Sequence, residues 1–191
     1  NITASAREPK TAHLTLDAAT LQSPISQGLV RLVTRLAATP SDLAVLQTLA
    51  EAMLAHQRRY EWDFMKFNPR ASYHAEPWGL KVRYTGNRSP DVLSCPVRDS
   101  KDWLKIVPLS LDHTVFQEQL RAIELVGQGL GGRIVYLATV FTPLSIASRL
   151  APSEDVFMDH LREHPTQVAA ALDAITQTFT AFANAAIDRG A

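Results

Sequence analysis

The sequence predicts an α/β fold built on parallel strands, and three observations carry that prediction. Trp62 to Phe67 is a short aromatic-rich alternating run, the pattern of a pleated and buried strand. Arg133 to Val140 is near-continuously apolar, the pattern of a strand covered on both faces by helices. Segments of helical spacing lie before, between and after these runs, which is βα alternation.

Composition sets the outer limits. The chain has 191 residues, 46% hydrophobic and 20% charged, enough for one domain with a sizeable core. Nineteen basic residues balance nineteen acidic ones, so no global field recruits nucleic acid or an anionic membrane. No apolar run approaches the roughly 20 residues of a bilayer span, and no leader pattern opens the chain, which reads as soluble and cytoplasmic. The single Cys95 excludes an intrachain disulfide and a multi-cysteine metal site.

Taken in order, residues 1–22 read as a tail or strap, within which His13 to Leu16 is a candidate third strand. Ser23-Pro24 opens a helix to about residue 38. Ser41 or Asp42 caps a second, whose stripe of Leu43, Leu46, Leu49, Ala50, Met53 and Leu54 runs to Gln57. That helix delivers the chain into the strand Trp62 to Phe67, whose aromatic residues Trp62, Phe64 and Phe67 favour a pleated, buried surface, and Asn68-Pro69 stops the strand. Residues 80–97 alternate around Gly86-Asn87 and read as a hairpin-like flap. A short helix follows Asp99 or Ser100 and ends before Pro108. A longer one, Asp112 to Leu130, turns Val115, Leu120, Ile123 and Val126 inward. After the second strand come helices near 143 to 150, from Ser153 to His164, and from Pro165 to Asp188.

Chemistry concentrates in the loop after the first strand, where parallel folds present ligand groups. Arg70 there has a planar fork suited to a carboxylate or phosphate, or to an ion pair with Glu76 inside the loop. Tyr73, His74 and Trp78 form an aromatic wall, to line a pocket or to pack the loop against the flap. Asn68 serves a ligand or the turn before Pro69, and Thr139 and Thr142 line the same pocket or cap the strand-to-helix passage. The candidate ligand-binding set is therefore Asn68, Arg70, Tyr73, His74, Trp78, Thr139 and Thr142, with no catalytic residue, metal ligand or cofactor assigned. His160-Leu161-Arg162-Glu163-His164 fits a zinc pattern, but Pro165 cuts the helix and no third ligand follows, so it reads as a solvated helix end. The glycines between Gly127 and Gly132 precede a strand instead of following one, so they read as a helix stop and not a nucleotide loop.

Several of these segments, in their order, resemble one family. Arg58-Arg59-Tyr60 with Trp62-Asp63-Phe64-Met65-Lys66, Gly79, Val140-Phe141-Thr142-Pro143-Leu144, and Phe157-Met158-Asp159-His160-Leu161 through Gly190-Ala191 resemble the uroporphyrinogen decarboxylase superfamily over about residues 42–191. The resemblance implies a partial (β/α)8 TIM barrel, this chain being its N-terminal half. It implies a lyase that decarboxylates a porphyrinogen without a cofactor, or a methyltransferase serving corrinoid proteins with zinc ligands placed beyond Ala191. In the decarboxylases a catalytic Asp stands where a gapless reading places Arg70, a pocket Tyr falls near Ala147, and a Met-Arg-Gln-Ala-Gly-Arg segment is absent before residue 58. These departures argue against authentic porphyrinogen decarboxylation.

Three readings follow. The chain belongs to an enzyme of this family acting on an anionic, polycarboxylate or tetrapyrrole-like small molecule anchored by Arg70. Alternatively it is a corrinoid-linked methyltransferase relative. Alternatively it is a non-catalytic half-barrel that completes itself as a homo-oligomer or with another chain.

Overall fold

The computed structural model of the protein describes residues 43–84 and 89–191. The expected tail, the strand at His13 to Leu16, the helix near 24 to 38 and the Gly86-Asn87 turn lie outside them.

Helix α1 (Leu43–Tyr60) places Leu49, Ala50, Met53 and Gln57 on one buried stripe. It ends where Glu61 takes a left-handed backbone at φ 48, and the Gln57 amide donates to the Trp62 carbonyl at 2.6 Å. The chain then enters β1 (Phe64–Lys66), which pairs in parallel with β4 (Val135–Leu137). Phe64 stands opposite Val135, Met65 opposite Tyr136, and Lys66 opposite Leu137.

Among the described residues, only one face of this ribbon is covered by helices. Met65 and Tyr136 are buried toward the helices, and the Tyr136 hydroxyl donates to the Ile123 carbonyl at 3.2 Å. The other face carries Phe64, Val135 and Leu137, which are 56%, 70% and 52% exposed. This corrects two expectations. Trp62 and Phe64 are not on the buried surface, and no described element covers the second strand on its other side. The pleat sends alternate residues to opposite faces, and the helices occupy only the face of Met65 and Tyr136, so the aromatic residues beside Met65 are left outside.

Between the two parallel strands lies a separate antiparallel pair, β2 (Lys81–Arg83) and β3 (Asp91–Ser94). A 3-10 helix, Ser100–Lys105, follows with Asp99 and Asp102 in a reciprocal capping box. Helix α2 (Thr114–Leu130) buries Val115, Leu120, Ile123 and Val126, and Gly131 closes it at φ 59. Thr142 caps α3 (Pro143–Leu150) by accepting from the Ser145 amide, and Ser153 caps α4 (Glu154–Glu163) in the same way from Val156. Pro165 opens α5 (Pro165–Asp188), the longest helix described. The aromatic centre is helical: Phe116 of α2 meets Phe179 and Phe182 of α5, and Trp103 meets Phe157 of α4 edge-on.

Candidate functional site

The C-terminal ends of β1 and β4 bring the two candidate loops together. The Phe67 amide continues the ladder to the Leu137 carbonyl at 2.9 Å, and the Thr139 hydroxyl donates back to the Phe67 carbonyl at 2.9 Å. Tyr73 then reaches across, its hydroxyl donating to the Thr139 carbonyl at 3.0 Å. The loop from Asn68 to Trp78 and the passage from Thr139 to Thr142 therefore form one rim.

The aromatic residues of that rim are packing elements as well as walls. Tyr73 is fully buried against Phe141, Phe179 and Phe182, and burial raises its pKa. Trp78 stacks near Phe179 and donates its indole N–H to the Val107 carbonyl at 2.9 Å. Both thus lean on α5. His74 lies 4.0 Å from the Phe141 ring, centroid to centroid. Burial, assisted by the Arg149 charge, pulls its pKa down to about 4, so the imidazole is neutral at pH 7. Asn68 and Thr142 are exposed at the rim, and Thr139 is half-buried.

Arg70 faces the helix layer. Its Nη1 donates to both Glu76 oxygens at 2.8 Å and to the Tyr84 hydroxyl at 3.0 Å, while Nη2 lies 3.5 Å from Glu118. Its backbone amide donates to the Gln119 side chain at 3.1 Å. Burial opposes the guanidinium charge, but Tyr84, Glu76 and Glu118 outweigh it and the Arg70 pKa is raised. Burial likewise raises the Glu118 pKa, with Arg70 acting against it. The intra-loop pair with Glu76 that the sequence left open is therefore present, and it occupies Nη1 of the guanidinium.

Around this pair the polar bookkeeping is incomplete. Arg70 Nε and Nη2, Ser72 Oγ, His74 Nδ1, Glu118 Oε1 and Gln119 Nε2 are buried and have no hydrogen-bond partner among the described residues. Ser72 is also held at φ 66, a left-handed conformation costly for a residue with a Cβ. Unpaired buried polar atoms shared between this loop and the face of α2 against it, with strain at Ser72, leave hydrogen-bonding capacity that ligand or water groups can complete.

Sequence reasoning missed Glu118, Gln119 and Tyr84. A signal existed for the first two: they fall on the same helical stripe as Val115 and Ile123, where apolar side chains are the rule. Away from the rim, His160 Nδ1 accepts the Trp103 indole N–H at 3.1 Å, a structural use of that histidine. No group of three or more His, Cys, Asp or Glu side chains is placed to hold a metal among the described residues.

The family model of uroporphyrinogen decarboxylase (URO-D) matches residues 45–191, more than three quarters of the chain. The chain belongs to the uroporphyrinogen decarboxylase family. A methyltransferase from Methanosarcina mazei superposes with a TM-score of 0.62 at 20% identity, over 85% of this chain and 48% of its own length. That likeness supports the α/β fold, and the chain spans about half the length of this structural relative. No curated protein matches the chain. Among the described residues, no helix is long and apolar enough to cross a membrane.

Proposed function

We propose that this chain is the N-terminal part of a (β/α)8 barrel whose site, at the strand C-termini, takes an anionic small molecule of polycarboxylate, tetrapyrrole-like character. The observation that carries the reading is the convergence of the two loops into a rim holding a cluster of buried, unpartnered polar groups. In this reading Asn68, Thr139 and Thr142 offer polar contacts and Tyr73, His74 and Trp78 form the wall. Arg70 binds a substrate carboxylate in exchange for Glu76.

The family membership supports the substrate class, and the parallel pairing of β1 with β4 supports the barrel. The reaction is the less defined part. A carboxy-lyase activity is what the family's name suggests, whereas methyl transfer is what the name of the structural relative suggests. No metal-dependent step is assigned to the described residues.

The test is titration of the full-length natural protein with uroporphyrin, followed by calorimetry, with carbon dioxide release measured from uroporphyrinogen and methyl transfer measured from methylcobalamin to a thiol. Saturable binding is expected. Absence of binding would overturn the substrate class, and methyl transfer without decarboxylation would replace the lyase reading.

A further inference from the structure

The segment Cys95 to Arg98, which follows β3, is wedged between the rim and the end of α3. On one side stands Gly79, which closes the rim loop at φ 101, and a Cβ built there would lie 3.7 Å from the Pro96 Cβ. On the other, the Val97 amide donates to the Leu150 carbonyl at 3.1 Å, at the last residue of α3. Two arginines flank this wedge, Arg98 in the segment itself and Arg149 in the last turn of α3. Both are exposed, and neither makes an ion pair among the described residues. Their charges both act on the Cys95 thiol, and the Arg149 charge also reaches His74. His74 is 6% exposed, and its Nδ1 is buried without a hydrogen-bond partner among the described residues.

The carboxylates nearest in sequence do not neutralise the pair. Asp99 and Asp102 serve the capping box, where Asp102 accepts the Arg98 backbone amide at 2.9 Å and pairs with Lys105 at 2.7 Å. Helix α3 carries no carboxylate, and Glu154 and Asp155 at the start of α4 make no ion pair with Arg149. Two guanidiniums gathered at one thiol repel each other unless an anion lies between them, and their planar forks suit a carboxylate. We infer that Arg98 and Arg149 form an anion subsite at the flap side of the rim, taking one carboxylate of the ligand, with the His74 imidazole as its uncharged neighbour. This rests on the polycarboxylate reading above and gives such a ligand a contact separate from the Arg70 ion pairs.

Cys95 is the reporter. In the full-length natural protein its alkylation by iodoacetate and by iodoacetamide is followed by mass spectrometry of the Cys95 peptide, at low and high salt. Both reagents meet the same thiolate and differ in charge, so their rate ratio isolates the field at the thiol. Relative to free cysteine, the ratio is expected to rise at least about threefold at low salt and to collapse at high salt. It should also collapse in the double variant Arg98→Met, Arg149→Met, whereas Arg98→Lys with Arg149→Lys keeps the charge and should keep the ratio. Uroporphyrin should protect Cys95 in the wild type and bind at least about tenfold more weakly to the double Met variant in calorimetry. A wild-type ratio equal to that of free cysteine, or one unchanged in the double Met variant, overturns the subsite. So does uroporphyrin binding that leaves Cys95 unprotected and is equally tight in that variant. Protection by inorganic phosphate but not by uroporphyrin overturns the choice of a carboxylate. If the ratio behaves as expected while the wild type fails to bind uroporphyrin, the substrate class proposed above falls and the arginine pair stands as an anion site.

Discussion

Replacing Arg70 by Met tests whether the mouth loop is held by a buried charge cluster. The Arg70, Glu76 and Glu118 side chains are only 8%, 18% and 10% exposed. Deleting the cation leaves two shielded carboxylates without a partner, and breaking one buried pair ordinarily costs about 3–5 kcal/mol. Two features moderate the figure here: Glu76 retains some solvent, and Glu118, whose pKa burial already raises, has an easier route to protonation. A loss of about 3 kcal/mol at pH 7 is expected. With a urea m-value of about 2 kcal/mol/M for a chain of this size, the unfolding midpoint falls by roughly 1.5 M. The triple variant Arg70→Met, Glu76→Gln, Glu118→Gln removes charge from both sides and should recover more than half of that loss, because a neutralised pair is tolerated where a broken one is not. Urea unfolding of all three proteins decides it. A single-variant loss under about 1 kcal/mol, or a triple variant no better than the single, would refute the reasoning.

Two further outcomes follow from the same loop. His74 titrates at about 4 in the folded protein against 6.5 unfolded, so the unfolded chain takes up the proton first. Its contribution is intact above pH ~6.5 and is lost as pH falls toward 4, by roughly 3 kcal/mol in all. Arg149 on α3 is the charged neighbour that deepens the shift, Tyr73 and Phe141 being the uncharged rings against it. His74→Phe should flatten stability between those pH values in thermal melts, and an unchanged slope would show that the imidazole is not held neutral. Ser72→Gly removes both a left-handed strain and a buried unpaired hydroxyl, against the added freedom of glycine when unfolded. A gain of about 1 kcal/mol in urea unfolding is expected, and a loss of that size would show that the hydroxyl has a partner in solution.

What could be read from the sequence was mostly local. The inward stripe of α2, the Thr142-Pro143 and Ser153 helix starts and the glycine stop at Gly131 each depend on residues within a turn of one another, and they appear where spacing put them. The parallel pairing was legible because the run from Arg133 to Val140 lies a helix away from the run at Trp62. Which face each strand buries was not, since Phe64 and Met65 are both apolar and, among the described residues, the helices pack on the Met65 side. The environment of Arg70 was half legible: Glu76 is six residues away, but Glu118 and Gln119 arrive from a helix some fifty residues later.

The rim is fastened to helices as well as to the strand ends it continues. Tyr73 and Trp78 rest on α5 and Arg70 is tied to α2, whereas the ribbon of β1 and β4 contributes three paired residues from each strand. Mechanically the loop is a bracket bolted to the outer wall. The shape of the rim therefore depends on where α2 and α5 stand, and a change in either helix reaches the strand ends through Arg70, Tyr73 and Trp78.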